Sequence, residues 1–375
     1  MRSAVEYVES LTPWPEEFGL ERMLALLERL GDPQLAYPSI HVVGTNGKTS
    51  TVRLAEALLA AAGLAVGSYT SPHVTGWAER IRVRGEETDF DRAIARVQPV
   101  AEELEATQFE ALTAAALAEF AESSIDVAVV EAGLGGRHDA TNVLRSPVQV
   151  LTNVSLEHTE YLGETREAIA AEKLAVVQPG ATVVLSEPEW EELARAAGAG
   201  LVVVVSRSNV ALASAAAESF VGGPIDPSAA RDVVVPGRLE HRTESPLEIW
   251  DGAHNLDGIG YLLARVPRRR YLLVVSVLAD KDVDGMLAAL SALGDHIVAT
   301  RSSSPRALEA RELADRAEQF FAQVELVDDP TQALTRAREL AGPAGAVLVT
   351  GSLYLLSDLV AVRPESVPWD ASRSG

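Results

Sequence analysis

Residues 44–50 have the sequence GTNGKTS and directly follow the short apolar run IHVV at residues 40–43. The apolar run predicts a buried strand, and the alanine-rich segment 49–62 predicts a helix that ends at Gly63. A glycine-rich turn between a strand and a helix directs backbone N–H groups and the N-terminus of the helix at a phosphate group. The stretch therefore predicts a nucleotide-binding phosphate loop of the P-loop type.

Side chains in and after this loop fit the same chemistry. Lys48 would place a compact positive charge at the β- and γ-phosphates, and a hydroxyl from Thr49 or Ser50 can bind phosphate or Mg²⁺. The general P-loop pattern has a glycine at the position of Val42, so this loop is of the shorter GTNGK[ST] kind. An ordinary strand–turn–helix junction is the alternative, and the motif disfavours it.

Strand-like and helix-like patterns alternate along the rest of the chain. Strands are predicted at residues 64–69, 127–131, 148–152, 181–185 and 201–205. After Ser245-Pro246 the alternation restarts and continues to a strand at residues 346–350. Such alternation predicts an α/β fold with mainly parallel sheets and helices on both faces. We therefore expect two domains, residues 1–244 with the phosphate loop and a smaller α/β domain at residues 245–375.

The composition excludes several classes of protein. The chain has 375 residues, of which 47% are hydrophobic and 23% charged, as in globular proteins. No apolar run reaches the roughly 20 residues of a membrane-spanning helix, and the N-terminus has no apolar signal region. The formal charge of −22 argues against broad nucleic-acid binding, which requires a basic surface. The sequence has no cysteine, so we expect a cytoplasmic protein without nucleic-acid or membrane partners.

Lysine is rare in this chain. Of 32 lysine and arginine residues, only Lys48, Lys173 and Lys281 are lysines. Lysine is compact and can lose its proton, whereas arginine is a planar cation with a fixed charge. We therefore expect Lys48 and Lys173 to stand where arginine cannot serve, while chance explains Lys281 equally well. Lys173 lies on the predicted helix 166–176 beside Glu172, and the alternative for it is a solvated pair with that neighbour.

A second glycine-rich stretch, EAGLGGRHDATN at residues 131–142, follows the predicted strand 127–131. A carboxylate at the carboxyl end of a strand, here Glu131, suits a metal–phosphate site in an open α/β sheet, and Arg137 could hold an anion. His158 follows the next strand, so it is expected at the same edge of the sheet as Glu131 and the phosphate loop. A lone histidine is more often structural, but this shared edge favours a functional role.

Charged residues also flank the predicted domain boundary. Arg238 precedes it in the segment PGRLE, and Asp251 and His254 follow it in the segment DGAHN. A carboxylate, an imidazole and an arginine on the two sides of a domain joint can complete a nucleotide site. Capping or surface roles are the alternative for each of these residues.

Together these segments resemble the folylpolyglutamate synthase/dihydrofolate synthase family, a branch of the Mur ligase superfamily. The matching segments occur in the family's order over nearly the whole chain: GLERMLALLERLG (19–31), HVVGTNGKTST (41–51), TSPHV (70–74), ERIRV (79–83), FEALTAAALAEF (109–120), EAGLGGRHDATNV (131–143), LTNVSLEHTEYLG (151–163), IAAEK (169–173), PGRLE (236–240), DGAHN (251–255), DKD (280–282) and TGSLYL (350–355). The TSPH…ERIRV and EAGLGGRHDATN segments distinguish the folate branch from other Mur ligases. The chain departs from the family's pattern in places: Thr49 replaces a glycine, Glu157 replaces the aspartate before His158, and LAVV follows Lys173 where the family usually has AGI. The chain is also short for the family, mainly around residues 187–235.

The resemblance implies an ATP-dependent amide ligase. ATP would phosphorylate a substrate carboxylate to an acyl phosphate, and the amine of L-glutamate would displace phosphate as the amide forms. The implied substrates are dihydropteroate, which would give dihydrofolate, and folates, which would gain further glutamates. ATP and Mg²⁺ at two sites are the implied cofactors, with a monovalent cation as a further candidate. The implied fold is a P-loop Mur-ligase-like central domain plus a smaller Rossmann-like α/β C-terminal domain that binds glutamate and closes over ATP, and a monomer is expected.

The resemblance also assigns roles to individual residues. ATP would contact Gly44, Thr45, Asn46, Gly47, Lys48, Thr49, Ser50, Asn209, Arg238, Asp251 and His254. The pterin substrate would contact Thr107, Gln108, Phe109, Glu110, His138, Asp139 and Ala140. The metal ions would be held by Ser71, Glu131, His158 and Lys173, and the catalytic residues would be Lys48, His158 and Lys173. Lys173 resembles the family's carbamylated lysine, a role that needs a neutral amine able to take up CO₂ and that arginine cannot fill.

Two other functions stay open at this point. A Mur-type ligase acting on a cell-wall or polymer substrate would share the phosphate loop but not the folate-branch segments. A P-loop nucleotide-binding or switch protein without ligase activity would not need Arg238, the DGAHN segment or a carbamate-forming lysine. ADP release that depends on dihydropteroate and glutamate would separate the three functions.

Overall fold

The structure is a computed structural model that describes residues 2–15 and 18–361. The chain forms two compact units, the first ending at Val233 and the second beginning at Val234. This division lies before the predicted boundary at residue 245, because Glu240–Glu244 pairs antiparallel with Leu247–Trp250 and so joins the sheet of the second unit. The Ser245-Pro246 segment is therefore a hairpin turn within the second unit and not the joint between the units.

The first unit is built on a mainly parallel sheet. Its strands are β1 (Ser39–Val43), β2 (Val66–Tyr69), β3 (Ile81–Val83), β4 (Glu86–Glu87), β5 (Val127–Glu131), β6 (Val148–Leu151), β7 (Thr182–Leu185) and β8 (Leu201–Val204). The order across the sheet is β4-β3-β2-β5-β1-β6-β7-β8. All strands from β2 to β8 in this order run parallel, and only β3 and β4 are antiparallel additions at one edge.

Helices cover both faces of this sheet. They are α1 (Ala4–Ser10), α2 (Glu21–Arg29), α3 (Lys48–Ala61), α4 (Phe90–Glu103), α5 (Gln108–Glu122), α6 (Thr159–Leu162), α7 (Arg166–Leu174), α8 (Glu191–Ala196) and α9 (Asn209–Val221). Alternate side chains of β5 point to opposite faces: Ala128 and Val130 pack in the core with α1, α2, α4 and α5, whereas Val127 and Val129 pack in the core with α3 and α9. The central strands are therefore buried on both sides, as parallel strands usually are.

The second unit repeats this architecture on a smaller scale. Its strands are β9 (Glu240–Glu244), β10 (Leu247–Trp250), β11 (Leu272–Val275), β12 (His296–Ala299), β13 (Gln323–Leu326) and β14 (Ala346–Thr350), in the order β13-β12-β11-β14-β10-β9. Its helices are α10 (Leu256–Leu263), α11 (Val283–Leu290), α12 (Ala310–Ala317), α13 (Pro330–Ala341) and α14 (Leu353–Ala361). The strands are parallel except β9, which is the antiparallel edge. The predicted α/β fold with mainly parallel sheets is thus confirmed in both units.

Across residues 2–15 and 18–361, no helix combines the length and the apolar character needed to span a membrane.

Candidate active site

Several loops meet at the carboxyl edge of the first sheet. Because β2, β5, β1 and β6 are parallel neighbours, the residues that follow them lie along one edge of the sheet. These residues are the phosphate loop 44–47 after β1, Glu131 at the end of β5, Thr70 and Ser71 after β2, and Thr152 and Asn153 after β6. The structure therefore brings the phosphate loop, Glu131 and Ser71 together.

The phosphate loop turns sharply into α3. Gly47 precedes the helix and has a left-handed backbone with a φ of 83°, a conformation that favours glycine. Asn153 holds the first half of the loop, because its backbone carbonyl accepts from Thr45 N at 2.9 Å and its Oδ1 accepts from Asn46 N at 2.7 Å. Lys48 is the first residue of the helix, and its Nζ donates to the carbonyl of Thr45 at 3.1 Å. The lysine amine thus bends back over the loop, beside the helix N-terminus that the sequence predicts to bind phosphate.

Two glycines of this loop pack too closely for a side chain. A Cβ on Gly47 would lie 2.6 Å from Oδ1 of Asn209, the first residue of α9. A Cβ on Gly44 would lie 1.9 Å from Oγ1 of Thr152. The predicted ATP contact Asn209 therefore lies against the phosphate loop, although it is distant in sequence. Ser50, the other candidate hydroxyl of the loop, is buried within α3.

Glu131 is a buried carboxylate that two neighbouring loops hold in place. Its exposed fraction is 2%. The hydroxyl of Thr49 donates to Oε1 at 3.1 Å and to Oε2 at 2.9 Å, and the backbone N–H of Ser71 donates to Oε2 at 3.1 Å. Thr49, which departs from the family's pattern, therefore contacts the carboxylate that is predicted to bind a metal ion.

The oxygen atoms around Glu131 fit a magnesium ion that is shared with a bound nucleotide. Mg²⁺ is usually held by one or two carboxylates, waters and substrate phosphates rather than by a cage of protein ligands. Within the described ranges, no group of three or more His, Asp or Glu side chains is arranged as such a cage. Glu131 and the hydroxyl of Thr49 instead provide hard oxygen atoms beside the phosphate loop, and Ser71 adjoins them through its backbone N–H.

Lys173 is buried and connects the helix α7 to the phosphate loop. Only 4% of the residue is exposed, and its Nζ donates to the carbonyl of Gly44 at 3.0 Å. Burial, and secondarily the positive charge of Lys48, lowers the pKa of Lys173 to about 7. A neutral amine is therefore accessible near neutral pH, and the alternative of a solvated pair with Glu172 does not describe this side chain.

His158 lies in the segment that follows β6, at the same edge of the sheet. It is the residue before the short helix α6 and has a left-handed backbone with a φ of 53°, which is uncommon for a residue other than glycine. Its side chain is half-buried. The same backbone conformation occurs at Arg84, Glu105 and Ser124 in other turns, so it does not decide between a functional and a structural role, and metal binding by His158 stays a prediction.

A cavity of about 400 Å³ opens in the first unit. Its wall contains six of the seven predicted pterin contacts: Thr107, Phe109, Glu110, His138, Asp139 and Ala140. The seventh, Gln108, does not line it, because its side-chain amide donates to the carbonyl of Val8 at 2.9 Å. The volume is in the range of cavities that bind small organic ligands.

Hydrogen bonds fix the Asp139 carboxylate in the wall of this cavity. Oδ2 accepts from Leu134 N at 2.7 Å, and Oδ1 accepts from the backbone N–H and the hydroxyl of Thr141 at 3.0 and 2.5 Å. His41, on β1, lies 2.7 Å from the same hydroxyl, and burial lowers its pKa to about 4, so this imidazole is neutral near pH 7. Burial also raises the pKa of Asp139.

Thr107 and Glu110 form the capping box at the start of α5. Oε2 of Glu110 accepts from the backbone N–H of Thr107 at 2.8 Å and from its hydroxyl at 2.7 Å. Arg22 also donates from Nε to this oxygen at 2.8 Å. The first turn of α5 is therefore rigid where it lines the cavity.

Aromatic residues at the cavity rim were not anticipated from the sequence. Trp14, Phe18 and Tyr161 line the cavity and are exposed. The rings of Phe18 and Tyr161 meet edge to face, with centroids 5.7 Å apart. They belong to a loop and to a four-residue helix, so no periodic sequence pattern marks them. The only sequence feature that could have indicated a binding role is that these aromatic residues stand alone in irregular segments.

The cavity wall and the phosphate loop meet at consecutive residues of α7. Glu172 lines the cavity and accepts from Arg137, whose backbone N–H and Nε lie 3.0 and 3.2 Å from its carboxylate oxygens. Gly136 packs directly on this turn, since a Cβ there would lie 2.6 Å from the carbonyl oxygens of Glu172 and Lys173. The next residue, Lys173, contacts Gly44 of the phosphate loop.

The predicted ATP contacts of the second unit cluster after β10. Asp251 is buried; its Oδ2 accepts from Leu239 N at 2.8 Å, and its Oδ1 accepts from Ala253 N at 2.9 Å. Burial raises its pKa, against the opposing effect of the nearby Arg238. Nδ1 of His254 lies 2.8 Å from the carbonyl of Gly252. The structure thus brings Arg238, Asp251 and His254 together, with Asp251 holding the turns that carry the other two.

Comparison with known proteins identifies both units. Residues 42–223 match the Mur ligase middle domain, and residues 237–353 match the Mur ligase glutamate ligase domain. The chain is 34% identical to the dihydrofolate synthase/folylpolyglutamate synthase of Mycobacterium tuberculosis, over 89% of this chain and 85% of that protein. It is 32% identical to the protein of the same name from Escherichia coli, over 100% of this chain and 97% of that protein.

Solved structures agree with these matches. Escherichia coli FolC in complex with DHPP and ADP superposes with a TM-score of 0.87 at 31% identity, over 96% of this chain and 97% of that one. The Yersinia pestis folylpolyglutamate synthase/dihydrofolate synthase complexed with AMPPNP and Mn ion superposes with a TM-score of 0.85 at 30% identity, over 96% of this chain and 98% of that one. Because both domain models match and the similarity to these relatives extends over nearly the whole chain, the chain belongs to the dihydrofolate synthase/folylpolyglutamate synthase family of Mur ligases.

Proposed function

We propose that this chain is an ATP-dependent ligase that joins L-glutamate to dihydropteroate and adds further glutamates to folates. One observation carries the proposal: the cavity and the phosphate loop meet at Glu172 and Lys173, which are adjacent in sequence. A small organic acid in the cavity would therefore lie close to a nucleotide phosphate. Family membership supports the same reaction, and the family model of the second unit is that of a glutamate ligase domain.

The reaction has two bond-forming steps. An oxygen of the substrate carboxylate attacks the γ-phosphorus of ATP, and ADP leaves as the acyl phosphate forms. The amine of glutamate then attacks the acyl carbon, loses a proton, and displaces inorganic phosphate as the amide forms. In the first step charge develops on the phosphate oxygens, so the main work of the protein is to position anions and neutralise charge. We assign that role to Lys48 and to the N–H groups at the start of α3.

Magnesium is part of this proposal. Glu131, with the hydroxyls of Thr49 and Ser71, would hold one ion, and His158 with Lys173 would hold a second. A bound magnesium ion would supply charge neutralisation on the phosphate oxygens. The fit of the first site rests on the buried carboxylate and the hydroxyl that lies 2.9 and 3.1 Å from its oxygens.

Carbamylation of Lys173 would provide the second site with an anionic oxygen ligand. Its amine is buried, and its pKa near 7 makes the neutral form available to react with CO₂. An unmodified ammonium at this place would repel a divalent cation, whereas the carbamate would attract it. This would be the physical reason for a lysine at position 173 in a chain that has only three lysines.

Several further assignments stay predictions. They are the roles of Asn209, Arg238, Asp251 and His254 toward ATP, the binding of glutamate by the C-terminal unit and its closure over ATP, a monovalent cation, a monomeric state and a cytoplasmic location. The lining of the cavity supports Thr107, Phe109, Glu110, His138, Asp139 and Ala140 as pterin contacts. Gln108 is proposed as a support of α1 instead, through its hydrogen bond to Val8.

The test measures ADP release with dihydropteroate plus glutamate and, separately, with tetrahydrofolate plus glutamate. Release that requires both the acid and glutamate supports the ligase, and the two arms show which synthase activities are present. ADP release without any carboxylate substrate would favour a nucleotide-binding protein without ligase activity. Release with a cell-wall precursor but with neither folate substrate would favour another Mur-type ligase.

A further inference from the structure

The segment 70–80 forms a closed loop that carries Ser71. The backbone N–H of Thr70 donates to the carbonyl of Arg80 at 3.0 Å and closes its ends. Inside the loop, the Glu79 carboxylate accepts from the backbone N–H groups of Val74 and Thr75 at 2.8 and 2.7 Å. The loop is therefore a preformed unit, and what remains to be fixed is its position relative to the phosphate site.

The Arg53 guanidinium fixes that position. Arg53 lies on α3, is 6% exposed, and donates to the hydroxyl of Thr70 at 3.4 Å and to the carbonyl of Glu79 at 2.6 Å, which are near the two ends of the loop. It also donates to the hydroxyl of Ser68 on β2 at 3.1 Å, and Glu56 balances its charge at 3.4 Å. A planar cation with several donors can make these contacts together, and the single ammonium of a lysine cannot.

Arg53 and Thr49 are four residues apart on the same helix and so share one face. Thr49 donates to Glu131 directly, while Arg53 holds the loop from which Ser71 N donates to the same carboxylate. The helix α3, which begins at Lys48, therefore positions both groups that donate to Glu131: Thr49 directly and Ser71 through Arg53.

We propose that Arg53 is a positioning residue for the metal–phosphate site: it holds the loop 70–80 against α3 so that Ser71 and Glu131 keep the geometry needed to bind a nucleotide-bound divalent cation. The inference rests on the proposed function for its context, but it concerns metal affinity rather than the choice of substrate. Removing a residue that orients metal ligands typically lowers metal affinity about 10- to 100-fold.

Arg82 offers a matched control. Its Nε lies 3.3 Å from the other carboxylate oxygen of Glu56, and its guanidinium donates to the carbonyl of Gly85 rather than to the loop 70–80. Arg82→Lys therefore disturbs the same buried glutamate without touching the loop, whereas Arg53→Lys disturbs both. Any effect that comes only from the electrostatics of Glu56 would appear in both variants.

The experiment titrates Mn²⁺ into the ADP-loaded protein and follows free Mn²⁺ by electron paramagnetic resonance. We expect Arg53→Lys to weaken Mn²⁺ binding about 10-fold and Arg82→Lys to leave it within twofold of the wild type. The Mg²⁺ concentration for half-maximal ligase turnover should rise in parallel in Arg53→Lys. Equal Mn²⁺ affinities in wild type and Arg53→Lys would overturn the proposal, and so would equal losses in the two arginine variants.

A second variant keeps the proposal testable if the Arg53→Lys protein does not fold. Thr70→Val removes one acceptor at the end of the loop and leaves the Arg53–Glu56 pair intact. It should weaken Mn²⁺ binding in the same direction by a smaller factor, with circular dichroism unchanged, and an unchanged affinity would count against the proposal. If the wild type binds Mn²⁺ and ADP but shows no ligase turnover, the proposed function fails while the inference about Arg53 is still decided by the titration.

Discussion

The hydroxyl of Thr49 donates to both carboxylate oxygens of Glu131, at 3.1 and 2.9 Å. The family's pattern has glycine at this position, which has no side chain to make such a contact. The threonine thus orients the carboxylate from the same helix that begins directly after the phosphate loop. This relationship leads directly to a test of the metal site.

Thr49→Val keeps the volume of the side chain and removes the hydroxyl. We expect the Mg²⁺ concentration for half-maximal turnover to rise about 10-fold, because the carboxylate loses a donor that orients it. Thr49→Ser restores the hydroxyl and should return this concentration to the wild-type value. The two variants are compared by Mg²⁺ titration of ADP release, and identical titration curves would remove Thr49 from the metal site.

Lys48→Ala is expected to abolish ligase turnover while the fold stays intact. The amine lies over the phosphate loop, and removal of one group that stabilises charge in the transition state costs on the order of 100-fold or more in rate. ADP release and thermal unfolding measure the two properties. Arg195→Ala serves as a control, since its ion pair with Glu191 is an exposed contact within one helix. Turnover near the wild-type rate in Lys48→Ala would contradict the phosphate role.

Lys173→Arg is expected to be inactive although it keeps the positive charge, because a guanidinium cannot form a carbamate. Lys173→Ala should regain part of the activity when short carboxylic acids are added, since they can supply the missing oxygen ligand. Intact-protein mass spectrometry at neutral pH and high bicarbonate would detect the added CO₂ on the wild type. Substantial activity in Lys173→Arg, or an unmodified amine in an active preparation, would refute the carbamate.

The pH dependence follows from the same amine. Because its pKa is lowered to about 7, the amine is neutral above that pH and takes up a proton as the pH falls through about 7. Wild-type activity should therefore fall below about pH 7, and added bicarbonate should shift the fall to lower pH. In Lys173→Ala rescued with acetate this inflection should be missing. For the unmodified chain, the unfolded state holds this proton up to the usual lysine pKa of 10.5, so stability from this group rises with pH between about 7 and 10.5.

Gly133→Ala tests the cavity without touching the phosphate loop. Its Cβ would lie 2.5 Å from Cζ of Phe109, which lines the cavity, so the ring must move. We expect the KM for dihydropteroate to rise about 10-fold, the effect of a displaced apolar contact, while the KM for ATP stays unchanged. Gly223→Ala is the control, since a Cβ there has nothing within 4 Å. An equal rise in both KM values would argue against the cavity as the pterin site.

The sequence predicts the central part of the fold well, because its signals there are local. The predicted strands at 127–131 and 346–350 have the same bounds in the structure. These are buried parallel strands, which read as continuous apolar runs. The phosphate loop was equally predictable, since a glycine-rich turn between such a strand and a helix has few other uses.

The elements that sequence patterns missed are those stabilised by other means. β9 has the polar sequence EHRTE, which lacks the alternation of apolar and polar residues that predicts a strand. It is held instead by backbone pairing to β10. α4 has a proline inside it, at Pro99, and charged residues around it, which weaken a helical pattern. The exposed aromatics at the cavity rim lie in irregular segments, where only the folded structure shows what they face.

The packing of Gly136 against the last turn of α7 limits how this protein could be redesigned or could evolve. No side chain larger than hydrogen fits between that glycine and the carbonyl oxygens of Glu172 and Lys173. A larger residue at position 136 would therefore displace the turn that carries both Glu172, in the cavity wall, and Lys173, which contacts the phosphate loop. Variation in the acid that the cavity accepts should instead accumulate at the exposed rim, at Trp14, Phe18 and Tyr161, where a side chain can change size and leave the buried lysine in place.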